Sequence, residues 1–161
     1  MDFMLRHEIH LPLILLHTMK RIGVLLLMIA AMLPFIGCTN SHAWEDMPLQ
    51  ISQFVNKYFP QEGITNYVEN DGTYTVGLKN GATARFDDQF HWTSVNGNGG
   101  TLPEMLLFDQ LPPELYEYLQ ELSQVDGVYA ITRTALMYSA KLLDSTVNFT
   151  ISTHNLRQIY D

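Results

Sequence analysis

The sequence predicts an α+β protein made of two copies of one unit, each a helix followed by up to four short strands, with the copies sharing one core. Three observations carry this expectation. Apolar residues recur at helical spacing in two segments, "MPLQISQFVNKYFP" from Met47 and "LPPELYEYLQELS" from Leu111. Each is succeeded by short stretches that alternate apolar and polar residues between turn signals. The two segments, and much of the sequence after each, align at an offset of 64 residues, the mark of a duplicated folding unit.

At the N-terminus, residues 1–18, "MDFMLRHEIHLPLILLHT", contain Asp2, Glu8 and three histidines ahead of the first basic pair. They are expected to be an over-extended start, with translation beginning at Met19. Residues 19–37 read as an export signal: Lys20 and Arg21 form the basic end, and Ile22 to Ile36 an apolar run of 15 residues. That run falls short of the roughly 20 residues a membrane-crossing helix needs, and Pro34 interrupts it, so a secretory signal fits better than an anchor. "FIGC", Phe35 to Cys38, resembles a lipobox, with Phe35 where leucine is usual. Cys38 is the sole cysteine. It excludes an intramolecular disulfide and is the expected site of thioether-linked diacylglycerol, with residues 38–46 as a tether. Multiple acyl chains suffice for stable anchoring. From Cys38 onward, six Lys and Arg face fifteen Asp and Glu, a net charge of −9. Such a surface repels phosphate backbones and excludes nucleic-acid binding as a function.

The first unit is expected over 47–97. Its helix places Ile51, Phe54, Val55 and Tyr58 at i, i+3, i+4 and i+7, an apolar stripe. Asp46 is positioned to cap the helix start, where early Pro48 is tolerated. "TYTVGLK" alternates Tyr74, Val76 and Leu78 against Thr73, Thr75 and Lys79. Asn80-Gly81 then signals a hairpin in which both residues can take positive φ. "ATARFD" puts Ala82, Ala84 and Phe86 on one face, and "HWTSVNG" closes the unit. The second unit, 111–160, repeats the pattern: Pro112 matches Pro48, Leu115 Ile51, Tyr118 Phe54, Leu119 Val55 and Leu122 Tyr58, with Asp109 as the capping candidate. Further matches are Val128 with Ile64, Tyr138 with Tyr74, Ala140 with Val76, Leu142 with Leu78, Leu156 with Trp92 and Ile159 with Val95. Phe149 matches Phe86 after a slip of one. Residues 97–110 link the copies, with Leu102, Leu106, Leu107 and Phe108 expected to pack. Together 47–160 form a single domain.

The densest polar stretch is "FDDQFHW", Phe86 to Trp92. Metal binding there would need at least three converging ligands. Adjacent Asp87 and Asp88 between two alternating strands instead read as a turn that hydrogen-bonds its own backbone, with His91 beside it. His42 and His154 are isolated in sequence, so no metal site and no cofactor is expected. No nucleophile elbow, zinc-protease signature or phosphate loop occurs. Glu114, Glu117 and Glu121 read as a solvated helix face, and Asn148 in "NFT" as a chance sequon. No catalytic residue is expected.

"W-x-D-x-P" (Trp44, Asp46, Pro48), "FVNKYFP" (Phe54 to Pro60), "Y-x-V-x-L-x-N-G" (Tyr74 to Gly81) and "FD-x-x-x-x-W" (Phe86 to Trp92) resemble the PepSY-like, beta-lactamase-inhibitor-like family of exported Gram-negative envelope proteins. The family usually has glycine where Phe90 stands. The resemblance implies tandem units forming one antiparallel sheet with helices on one face, no enzymatic activity, and use of the open sheet face to grip a partner. The expectation is therefore a non-catalytic, periplasm-facing envelope lipoprotein that binds or inhibits an envelope protein. A small-ligand carrier or sensor, with its ligand between sheet and linker, is the alternative, and an envelope hydrolase a third reading. Strand parity puts Tyr67, Arg85, Tyr129 and Arg133 on the helix-free face as the candidate binding surface. At the N-terminus, metabolic labelling with a clickable fatty acid is expected to mark the wild type and not Cys38→Ala. Equal labelling of both would exclude acylation at this residue.

Overall fold

The computed structural model describes residues 46–161. The 1–18 start, the 19–37 export segment, Cys38 and the tether before Asp46 lie outside the described residues. Helix α1 spans Leu49–Tyr58, and four strands come next: β1 Ile64–Asn70, β2 Thr73–Leu78, β3 Thr83–Phe86 and β4 Trp92–Asn96. Helices α2 (Glu104–Gln110) and α3 (Pro113–Glu121) and a 3₁₀ turn (Val125–Gly127) lead to β5 Ala130–Arg133, β6 Met137–Lys141, β7 Ser145–Thr150 and β8 Asn155–Tyr160. The eight strands form one antiparallel sheet in sequence order, each paired with its chain neighbours.

All three helices start at proline. Pro48, Pro103 and Pro112 occupy the N-caps with extended ψ, and no side chain caps any of these helices. Asp46 and Asp109 therefore do not have the capping role expected of them. Asp109 lies inside α2, where its carboxylate pairs with Lys57 of α1 at 2.8 Å. The reason is that residues 104–110, expected as linker, are themselves helical. Two of the leucines expected to pack, Leu106 and Leu107, are fully buried there, but Phe108 is 66% exposed. Successive helical residues are rotated by about 100°, so two consecutive core positions carry the third out to solvent. Phe108 rests edge-on against Tyr116 of α3 at 5.4 Å.

Helix α1 buries Ile51, Val55 and Tyr58, and α3 buries Leu115, Tyr116 and Leu119. Phe54 and Tyr118 are half-buried against the same core. Phe54 meets Phe86 edge-on at 5.2 Å.

One row of cross-strand partners receives these helices: Tyr67, Val76, Ala84, Val95, Ile131, Ala140, Val147 and Gln158, one from each strand. Every member but Gln158 is at most 4% exposed. Gln158 instead donates to Ser145 Oγ at 2.9 Å and accepts from Tyr118 of α3 at 3.4 Å. Because directly opposed residues share a face, this row and the residues two positions away along each strand define the helix side of the sheet.

Turn chemistry sets the register of that row. Asp71 and Gly72 both take positive φ, 48° and 73°, the backbone of a two-residue type I′ hairpin. At the Asn80-Gly81 hairpin only Gly81 has positive φ, 87°. There Leu78 N–H donates to Ala82 carbonyl at 2.8 Å, and Asn80 Oδ1 accepts from Ala82 N–H at 2.9 Å. The loop is thus one residue longer than a two-residue turn.

Adjacent residues on β5 give a direct check of the two faces. Ile131→Ala is expected to cost about 2–5 kcal/mol in denaturant unfolding, whereas Thr132→Ala, facing away from the helices, is expected to cost less than about 1 kcal/mol. Equal costs would contradict the register.

Candidate functional site

Among the described residues, no helix covers the face of the sheet opposite the helices. One row across it runs Val68, Thr75, Arg85, Ser94, Thr132, Ser139, Asn148 and Arg157. The next row of the same face includes Gly77, Thr83, Asn96, Ala130, Lys141 and Thr146. Apart from Val68, Gly77 and Ala130, these are short hydroxyl and amide side chains with three exposed cations among them, Arg85, Lys141 and Arg157. Ser139 donates across to Asn148 Oδ1 at 2.6 Å. The strand residues of this face include no Asp or Glu.

Of the four residues expected here, only Arg85 stands exposed on this face. Tyr67 is a correction: it is 4% exposed and opposes Val76, so it lies in the core. The two-residue turn at Asp71-Gly72 pairs Glu69 with Tyr74, Val68 with Thr75 and Tyr67 with Val76, which gives Tyr67 the facing of the core strand beside it. Its ring stacks on Tyr74 at 6.1 Å. Arg133 is a second correction. It has the parity of buried Ile131, and its guanidinium lies over the Trp92 ring at 5.4 Å, on the helix side. Tyr129 is half-buried just before β5. Its N–H donates to the Lys141 carbonyl at 3.0 Å while Ala130 pairs with the same residue, so two residues oppose one and simple alternation does not set its direction. Lys141 and Arg157 are the members that sequence reasoning missed. The available signal was "STVNFT": buried Val147 and Phe149 turn Asn148 outward, and Asn148 pairs with Arg157.

The Asp87–His91 stretch is a turn. Asp87 Oδ1 accepts from Gln89 N–H at 3.0 Å and His91 N–H at 2.8 Å, and Asp87 N–H donates to the His91 carbonyl at 2.9 Å. Phe90 takes φ 63°, a conformation that favours glycine. Its ring contacts Tyr74 at 5.1 Å. Elsewhere, His154 Nδ1 lies 3.0 Å from Glu114 Oε1 at the surface. The Glu114 carboxyl is held below its ordinary value by its own backbone N–H and by His154. Among the described residues, no three His, Cys, Asp or Glu converge as metal ligands would.

On the helix side, Trp92 Nε1–H donates to Gln110 Oε1 at 2.6 Å, Gln110 Nε2–H to Tyr58 OH at 2.6 Å, and Tyr58 OH to Asp109 at 3.2 Å. Hydrogen bonding with Lys57 lowers the Asp109 pKa, and the same bond raises that of Lys57. Beyond the end of α1 lies a cleft of about 300 Å³ between the β2–β3 hairpin and the 97–103 segment, with Phe59, Glu62, Asn80, Thr101, Leu102 and Pro103 in its walls.

No protein-family model and no curated protein matches the chain. Solved structures do share its fold. One is a candidate calcium-regulated periplasmic protein of Bacteroides thetaiotaomicron, with TM-score 0.65 and 22% identity over 75% of this chain and 95% of that one. Another is a candidate periplasmic protein of the DUF2874 family from Bacteroides vulgatus, with TM-score 0.64 and 21% identity over 75% and 95%. A third, a candidate periplasmic protein of unknown function from Bacteroides vulgatus, has TM-score 0.60 and 18% identity over 74% and 96%. At these identities the likeness establishes the fold.

Burial pushes the Tyr67 phenol up to about 12, with Tyr74 and Glu69 adding to the shift. A folded-state pKa above the unfolded value of 10.0 gives stability that is complete below pH 10 and lost as pH rises toward 12. Thermal melts across that range are expected to show a steeper alkaline loss in wild type than in Tyr67→Phe. Parallel profiles would contradict the buried placement.

Proposed function

We propose that the protein is a non-catalytic docking module of the bacterial envelope that binds a partner protein on the open face of its sheet. The observation that carries this reading is the face itself: eight strands present contiguous rows of short polar and basic side chains that no described helix covers. A covered sheet face is apolar in this chain, as the row from Tyr67 to Val147 illustrates; the open face has the polar composition of a solvated or transiently contacted surface. An envelope location is supported by the export-signal pattern ahead of Cys38 and by the periplasmic designation of proteins that share the fold. In this reading Cys38 carries the lipid anchor and the domain is of the PepSY-like, beta-lactamase-inhibitor-like type.

The reading includes descent from a duplicated unit. Tyr67 and Ile131, Val76 and Ala140, Ala84 and Val147, and Val95 and Gln158 are related by offsets of 64 or 63 residues and share one row of the sheet. Val95 corresponds in space to Gln158 and not to Ile159. A second reading, a small-ligand carrier, draws on the cleft beside α1, whose 300 Å³ is at the lower end of the ligand-site range of about 300–1,000 Å³.

The docking reading is tested by a photo-crosslinking residue placed at Thr132, on the open face, or at Glu117, on the exposed side of α3, in intact cells. A discrete adduct from Thr132 and none from Glu117 is expected. No adduct at Thr132, or the same adduct from both sites, would overturn it.

A further inference from the structure

We infer that the open face selects an acidic protein surface through Arg85, Lys141 and Arg157. This rests on the docking reading and adds the chemistry of the occupant. Residues 46–161 contain six Lys and Arg and fourteen Asp and Glu. Three of the six cations stand on strand positions of the open face, and none of the fourteen carboxylates does. None of the three forms an ion pair with a described residue. Of the pairs that do form, Lys57 with Asp109 and His154 with Glu114 involve the helices, and His91 with Asp87 lies in the turn between β3 and β4. Unpaired, exposed cations held on a rigid strand scaffold are pre-placed for an incoming carboxylate, and the guanidinium fork matches that group bidentately.

The spacing identifies the scale of the occupant. Arg85 on β3 and Arg157 on β8 belong to one row five strand steps apart, about 24 Å at roughly 4.8 Å per step, with Lys141 in the neighbouring row. Cations spread this way do not converge on a single small anion, but they match carboxylates distributed over a protein surface. Ser94, Thr132 and Ser139 between them offer hydroxyl donors and acceptors at the same level. The rest of the molecule is strongly acidic and repels the same partner, so the field orients it onto this face. Remote repulsion is screened beyond about 8 Å at physiological salt, while contact pairs are screened less. Nucleic acid and anionic lipid, with far denser charge, feel the net negative molecule more strongly and fit less well.

The experiment measures fluorescence anisotropy of a dye-labelled oligoglutamate peptide with the purified protein. Binding is expected at low ionic strength and weakened about ten-fold or more in Arg85→Glu/Lys141→Glu/Arg157→Glu. Should that reversal variant melt early, Arg85→Gln/Lys141→Gln/Arg157→Gln supplies the same comparison. No binding by wild type, unchanged binding by the reversal or neutral variant, or preferential binding of phosphatidylglycerol vesicles overturns the assignment. The two readings fail separately: a Thr132 crosslink that persists in the charge-reversed protein removes the acidic partner and leaves docking standing, whereas no crosslink at Thr132 removes docking itself.

Discussion

Alternation across a single sheet is the constraint on which the rest of this structure depends. With one residue from each strand in a row, Val76, Ala84, Val95, Ile131, Ala140 and Val147 are at most 1% exposed. Any slip by one residue would turn a strand's whole apolar set to solvent. The apolar stripes of α1 and α3 and the leucines of α2 have this one surface to bury against, and they use the same side of it. Covering one face leaves the other without a described helix upon it. The open face is a consequence of the way the core is closed.

The helix side is fastened by polar groups as well as by apolar packing. The relay from Trp92 through Gln110 to Tyr58 ties β4, α2 and α1 together, and it satisfies side chains whose burial would otherwise be costly. Tyr58 and Trp92 are each 4% exposed, so the relay links α1 and α2 to β4 through buried side chains. Arg133 belongs to this side too: its charge lies over the Trp92 ring, where the aromatic face offsets lost hydration. The basic residues thus divide by face. Lys57 and Arg133 have partners on the helix side, Arg85, Lys141 and Arg157 form no ion pair with a described residue on the other, and Lys79 stands in the turn after β2.

Turns decide which side chain joins which face. Asp71-Gly72 closes a two-residue hairpin and so fixes Tyr67 opposite Val76. The Asp87 carboxylate uses one oxygen for two backbone N–H groups, which holds the tight reversal before Trp92. Phe90 accepts a left-handed backbone there while its ring packs on Tyr74. The polar cluster that the sequence reads as a turn is, in three dimensions, also a device that sets strand register.

Local pattern by itself determined the two long helices, the alternation of β2, the hairpin at Asn80-Gly81 and the turn at Asp87, because each depends on residues within a few positions of one another. It also carried the signal for Tyr67, since Asp71-Gly72 specifies the pairing, but parity counted from Tyr74 without that turn gives the wrong face. Only the tertiary structure decided that 104–110 is helical with Phe108 outside, that Asp109 serves Lys57 instead of a cap, and that Arg133 turns toward Trp92. The β4–β5 pairing also depends on it, since thirty-three residues separate Asn96 from its neighbours on β5. Those outcomes rest on distant surfaces meeting: a helix between two strands forms where its leucines find the sheet, and a strand's facing across a long connection is set by which row it must complete.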